Sequence, residues 1–327
     1  MIFNVFPQKN LGYNCYDNNI ITVACDCFKR DLSIYLLDNF GFEYDKTNVY
    51  SRYKIATCSN YGRVLLNDFL GFQLNYLKKE TLDCNQYLKE LSKNIREVGI
   101  VGIILDSFDC PWNKKYYHSI HMEHAIMITD IDDDCEKVTC FDGFFTLEPQ
   151  IILASDIFQW MWTMIYFEVR ESYMDYKNIG NIFYNMMKKD SNNRANNILK
   201  YADIINGQDI IKESEELNGD INTSDLIFAI SDIVKSRYNF RYALGTNREA
   251  LTISDSIIDT IEVLCKKWEL MKNYVIMGIY RKNVKYLDSS VDVLKDIAIM
   301  EEEIINNICE LIENESVIKD EVNIIIS

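Results

Sequence analysis

A chain of 327 residues with 48% apolar and 13% aromatic side chains can build a sizeable core and exceeds one ordinary domain, so two units are expected. Its formal charge of −16 spreads a negative potential that disfavours nucleic acid and anionic membrane as partners and favours amines. No stretch reaches the roughly 18 uninterrupted apolar residues of a membrane span, and the opening MIFNVFPQKN has neither the basic start nor the apolar run of a secretory signal, so the expected location is cytoplasmic.

From the N-terminus, Ile20, Ile21, Ala24, Cys27, Phe28, Leu32 and Tyr35 fall at spacings of three and four, so Asn14 to Leu37 reads as one or two helices. Cys84 to Glu97 reads as a helix with Leu88, Leu91 and Ile95 on one face and Gly99 at its stop. Ile100 to Leu105 is a continuous apolar run, the pattern of a buried strand. His124 then opens the run Ala125 to Ile131, an acidic turn Asp132 to Asp134 follows, and Lys137 to Phe141 returns toward Asp142, which predicts a hairpin. The aromatic run Trp160 to Val169 is expected to close the sheet and end the first domain. From Ser172 onward the pattern turns helical, with long segments at Asp225 to Ser236, Thr252 to Tyr280 and Ser290 to Glu313. Polar stretches Lys188 to Arg194 and Asn206 to Asn222 read as loops between them.

The ten cysteines are scattered and, without an export signal, are expected as free thiols. Cys25 and Cys27 lack a second cysteine pair or a matching histidine, which argues against a structural zinc. All three histidines, His118, His121 and His124, fall within seven residues, so any Cys/His chemistry must take its base from this group. A metal site on this HxxHxxH pattern would need irregular backbone, because steps of three converge on neither a helix nor a strand. His118 and His121 are therefore read as structural, and no metal is expected.

His124 stands apart as the first residue of an apolar strand reached from an aromatic loop. Papain-like enzymes keep their general base at such a position and their nucleophile on the first turn of an N-terminal helix, where the dipole and free N–H groups favour a thiolate. Cys15 follows the turn Gly12, Tyr13, Asn14 and fits that place. Asp142, at the end of the next strand, is suited to hold the imidazole, with Asp132 in the acidic turn a weaker alternative. On spacing alone the order Cys, His, Asp is not specific in a chain with ten cysteines.

The stretches GYNCYDNNI, GIILDSFDCPWNKKYYHSIHMEHAIMITDIDDD and VTCFDGFF resemble the butirosin biosynthesis protein H N-terminal family of papain-like cysteine acyltransferases, over residues 10 to 145. The resemblance implies an α+β chain: a papain-like cysteine-protease fold over residues 1–171, then an all-helical domain over 172–327. The helical pattern itself leaves a homodimer through that domain open. It implies Cys15 as nucleophile, His124 as base and Asp142 as orienting carboxylate. It further implies transfer of an acyl chain from the phosphopantetheine arm of an acyl or peptidyl carrier protein to an amine small molecule, with no other cofactor. Asn14, Tyr16, Asp106, Trp112 and Tyr117 are the expected substrate-binding residues. Lys114 and Lys115 are the expected docking patch for an acidic carrier. A cysteine peptidase or thioesterase, and a helical interaction protein without chemistry, are the alternatives.

Overall fold

The computed structural model describes residues 15–23, 33–44, 55–56, 71–114, 116–119, 121–143, 145–169, 176–191, 193–216 and 224–326. The chain is α+β, an antiparallel sheet of six strands and a helical C-terminal region. It folds into two compact units, one made of Met1–Leu32 and Leu65–Met174 and the other of Ser33–Val64 and Asp175–Ser327.

In the first unit, the helix α1 (Cys15–Thr22) precedes β1 (Phe72–Lys78), α2 (Cys84–Val98) and β2 (Val101–Asp106). Then come β3 (Glu123–Ile131), β4 (Lys137–Asp142), β5 (Thr146–Leu153), the short helix α3 (Ala154–Trp160) and β6 (Met161–Val169). The sheet order is β1-β6-β2-β3-β4-β5, and every neighbouring pair is antiparallel.

Helix α2 is specified at both ends. Asp83 accepts from the Gln86 N–H and receives the Gln86 side chain in return on its own N–H, a reciprocal cap that satisfies two orphan donors. At the other end Gly99 adopts φ 89°, a left-handed conformation that costs a residue with a Cβ about 1–2 kcal/mol. Gly99→Ala is accordingly expected to lower the urea-unfolding free energy of the first unit by about 1 kcal/mol or more, with no change in the site described below. The buried face of α2, Tyr87, Leu91 and Ile95, packs with Val101, Ile103 and Leu105 of β2 and Ile126 and Ile128 of β3 in one core. Strand β2 is paired along both edges, and Val101, Ile103 and Leu105 on one of its faces are fully buried.

The expectation that residues 160–169 close the sheet is corrected. Strand β6 lies inside, between β1 and β2, because Phe72–Lys78 pairs along its outer edge. Close approach there is helped by Gly102, where an added Cβ would come within 3.3 Å of Ile165 Cβ.

Ser33–Phe40 is a 3-10 helix rather than a continuation of an N-terminal α-helix, and it belongs to the second unit. It buries Leu36, Leu37 and Phe40, and Phe40 stacks on Phe240 with ring centroids 4.2 Å apart. Two-residue strands, Glu43–Tyr44 and Ile55–Ala56, pair antiparallel after it.

The helices of this unit are α4 (Tyr176–Ser191), α5 (Arg194–Asn206), α6 (Ile210–Glu216), α7 (Asp225–Thr246), α8 (Asp255–Arg281) and α9 (Lys285–Ile326). Both expected loops contain helix: α4 runs to Ser191 in the first, and α6 (Ile210–Glu216) lies within the second. The Asn-rich sequence hides the periodicity of Ile198, Tyr201, Ala202 and Ile205, which are all buried. Helix α7 continues past Ser236, whose Oγ bonds back to the Asp232 carbonyl at 2.7 Å. Among the described residues no helix is long and apolar enough to cross a membrane.

Candidate active site

Strands β3 and β4 are antiparallel neighbours with Met127 opposite Phe141. The start of β3 and the end of β4 therefore meet at one end of the hairpin, and that register brings His124 to Asp142. The His124 Nε2 and Asp142 Oδ2 are 2.7 Å apart, with 1% and 0% of the side chains exposed. The same oxygen accepts the indole N–H of Trp112 at 2.7 Å, and Oδ1 accepts the Phe145 backbone N–H at 3.1 Å. Phe145 lies 4.6 Å from the imidazole, ring to ring, and Tyr116 packs edge-on against Phe145.

The Cys15 thiol lies close enough to the His124 ring to act on its protonation. Because Asp142 engages Nε2, Nδ1 is the ring nitrogen left for the thiol. Cys15 stands at the first position of α1, and α1 packs on β3. The helix N-terminus thus presents the thiol to the imidazole with the positive end of its dipole behind it.

Burial alone would push the His124 pKa down, but the hydrogen bond to Asp142 and the nearby Cys15 thiol reverse this and raise it to about 10. Burial likewise works against the Asp142 carboxylate, yet the N–H groups of His124, Trp112 and Phe145 hold its pKa below the usual carboxylate range. At neutral pH the pair is an imidazolium and a carboxylate. Among the described residues two other thiols lie near, and both are sealed from solvent. Cys110 and Cys140 are 0% exposed, and burial raises both pKa values, that of Cys140 to about 12.

Several residues expected at the substrate bond to other groups of the chain. Asp106 closes the 107–122 loop: Oδ1 accepts from the N–H groups of Phe108 and Met122, and Oδ2 meets His121 Nδ1 at 2.7 Å. Trp112, expected as an aromatic wall, is a donor to Asp142. Tyr16 and Tyr76 join their hydroxyls, and Tyr117 is exposed and stacked 4.0 Å from the His118 ring. Lys114 is exposed, whereas Asn14 and Lys115 lie outside the described residues.

Phe108 stacks on His121 at 4.2 Å and on His118 at 5.1 Å, so these two imidazoles belong to a surface ring stack and His124 to the buried pair. Among the described residues no group of three or more His, Cys, Asp and Glu could hold a metal ion. Asp132, the alternative carboxylate, caps the N–H groups of Glu136 and Lys137 at the far end of the hairpin.

The contribution of Phe145 had no sequence signal beyond its place just after the Asp142, Gly143 turn. Set against known proteins, the chain matches no family model and no curated sequence. Its chemistry is therefore read from the Cys15, His124 and Asp142 arrangement itself.

Proposed function

We propose that this protein is a cysteine acyltransferase of papain-like fold that forms an amide from a carrier-bound thioester and an amine. The observation that carries this reading is the buried His124 to Asp142 hydrogen bond of 2.7 Å with Cys15 close to the same ring. A thiol, an imidazole and a carboxylate in series are the parts of a nucleophilic acyl exchange. The resemblance of residues 10 to 145 to the butirosin biosynthesis protein H N-terminal family supports acyl transfer in thiotemplated natural-product assembly. A narrower form of the reading is an amide synthase similar in outline to the one that assembles the polythioamide closthioamide.

In this reaction His124 holds the proton of the Cys15 thiol, and the sulfur attacks the carbonyl carbon of the thioester. The bond from that carbon to the phosphopantetheine sulfur breaks, and the leaving thiolate takes the proton from the imidazolium. An amine then attacks acyl-Cys15, His124 accepts the proton that the amine sheds, and the Cys15 thiolate leaves. Asp142 keeps Nδ1 toward the sulfur and stabilises the positive ring in both halves. The surface charge of −16 favours a cationic amine as acceptor and calls for a local basic patch, with Lys114 as candidate, to seat an acidic carrier.

Iodoacetamide labelling mapped by mass spectrometry tests the nucleophile: Cys15 is expected to react well ahead of the other nine cysteines. Uniform slow labelling sinks the reading and leaves a helical interaction protein. With an acyl phosphopantetheine thioester on a carrier, an adduct of one acyl group on Cys15 is expected, discharged faster by an amine than by water. An adduct discharged equally fast without amine reassigns the protein as a hydrolase.

A further inference from the structure

One donor in the site has no part in the reaction just described. We propose that Trp112 is a positioning residue that limits how tightly His124 holds its proton, acting through Asp142. The inference rests on the Cys15 chemistry proposed above. The indole Nε1 and the imidazole Nε2 both donate to Oδ2, each at 2.7 Å, and the backbone of Phe145 anchors Oδ1 at 3.1 Å. Three N–H groups thus fix a carboxylate that has no exposed surface.

Two donors converging on one oxygen compete. Each draws charge from the lone pairs the other uses, and the positive ends of the two N–H dipoles face each other across the oxygen. The carboxylate is held firmly in place and at the same time attracts the imidazolium less than it would with His124 alone. A general base must release its proton as well as take it, and a buried imidazolium facing a lone carboxylate would hold on too long. Trp112 moderates that attraction while locking the geometry. Its indole is partly buried against the α2 side of the sheet core, so its direction is set by packing as well as by the hydrogen bond.

The titratable groups around this pair are few. Cys15 faces His124 from α1, Cys140 faces Asp142 from β4, and Cys110 faces it from the 107–122 loop, with Asp106 and Asp109 bearing on Cys110. Burial keeps the Cys110 and Cys140 thiols neutral through the working range, so a change in the alkaline limb of reactivity reports His124.

The experiment is the rate of Cys15 alkylation by iodoacetamide from pH 5 to 11 in the wild type and in Trp112→Phe, with the site of labelling mapped. Because Trp112→Phe also removes volume, the same profile is taken with 3-benzothienylalanine at position 112, which puts sulfur where the indole N–H stands and keeps the ring shape. In both variants the alkaline inflection assigned to His124 is expected to move up by about half to one pH unit, a fraction of what a full charge partner does. An inflection that stays in place while only the amplitude falls means that Trp112 merely packs, and overturns the inference. If wild-type Cys15 reacts no faster than the other thiols, the acyltransferase reading itself has failed, and the two failures are distinguishable.

Discussion

Replacing His124 by Gln is expected to lower the rate of amide formation from a carrier thioester by about 10⁴-fold or more, as much as Cys15→Ala does, with the double variant no worse than either single one. Gln offers an amide N–H that can reach Asp142 Oδ2, so the hydrogen bond of 2.7 Å has a substitute and the hairpin is retained. What it lacks is a group that takes a proton from the thiol and returns it to the leaving sulfur. On the proposed mechanism nucleophile and base act as one unit, so removing the second after the first costs nothing further. Amide formation from a carrier thioester and an amine, followed by mass spectrometry of the released product in all four chains, measures this, and additive losses would mean that the two residues act separately.

The same substitution reads the pair through stability. The folded His124 pKa is raised from 6.5 to about 10, so its contribution is complete below pH 6.5 and is lost as pH rises through about 10. Asp142 is lowered in the folded state, so its contribution is present above the ordinary value of 3.8 and is lost as pH falls through the folded value. The stability difference between wild type and His124→Gln is therefore expected to be largest from about pH 4 to 6.5 and to shrink toward pH 10. Urea unfolding at a series of pH values checks it.

The parts of the fold that could be read from sequence are those fixed by local rules. The helix stop at Gly99 needs only a residue that tolerates φ 89°, and the β3 to β4 hairpin needs only two apolar runs around an acidic turn, so both were legible. That hairpin is what carries His124 to Asp142, and hence the pair was legible too. Strand β6 was misplaced because its partners are distant in the chain. Gln73 pairs with Glu168, and nothing near either residue records the other. Trp112 was legible only as a large aromatic ring, since a composition-level reading sees an apolar wall where the indole N–H in fact points at a carboxylate. For Ser33–Phe40 the apolar spacing of three and four suits both an α-helix and a 3-10 helix, and the decision falls to a partner two hundred residues away.

That partner leads to the largest expected effect on stability: Arg237→Met is predicted to cost about 3–5 kcal/mol, and Arg237→Met with Glu301→Leu to recover most of it. Arg237 and Glu301 are both 0% exposed. The guanidinium grips the carboxylate at two points, Nε to Oε1 at 2.7 Å and Nη2 to Oε2 at 3.1 Å. Its Nη1 donates to the carbonyls of Asn39 at 3.1 Å and Gly41 at 3.2 Å, which ties the 3-10 segment to α7. Trp268 of α8 adds a third donor to Glu301 at 2.9 Å, and the Arg237 charge lies 4.8 Å from the centre of the Phe40 ring. Removing the arginine alone leaves a carboxylate buried with one indole N–H for company, and it leaves two backbone carbonyls without donors. Removing both charges relieves the carboxylate but not the carbonyls, so recovery should be large and incomplete. Urea denaturation of the single and double variants separates these terms. A single variant that loses under 1 kcal/mol would mean that water reaches the ion pair, and that packing around Phe40, Phe240 and Trp268 holds this core without it.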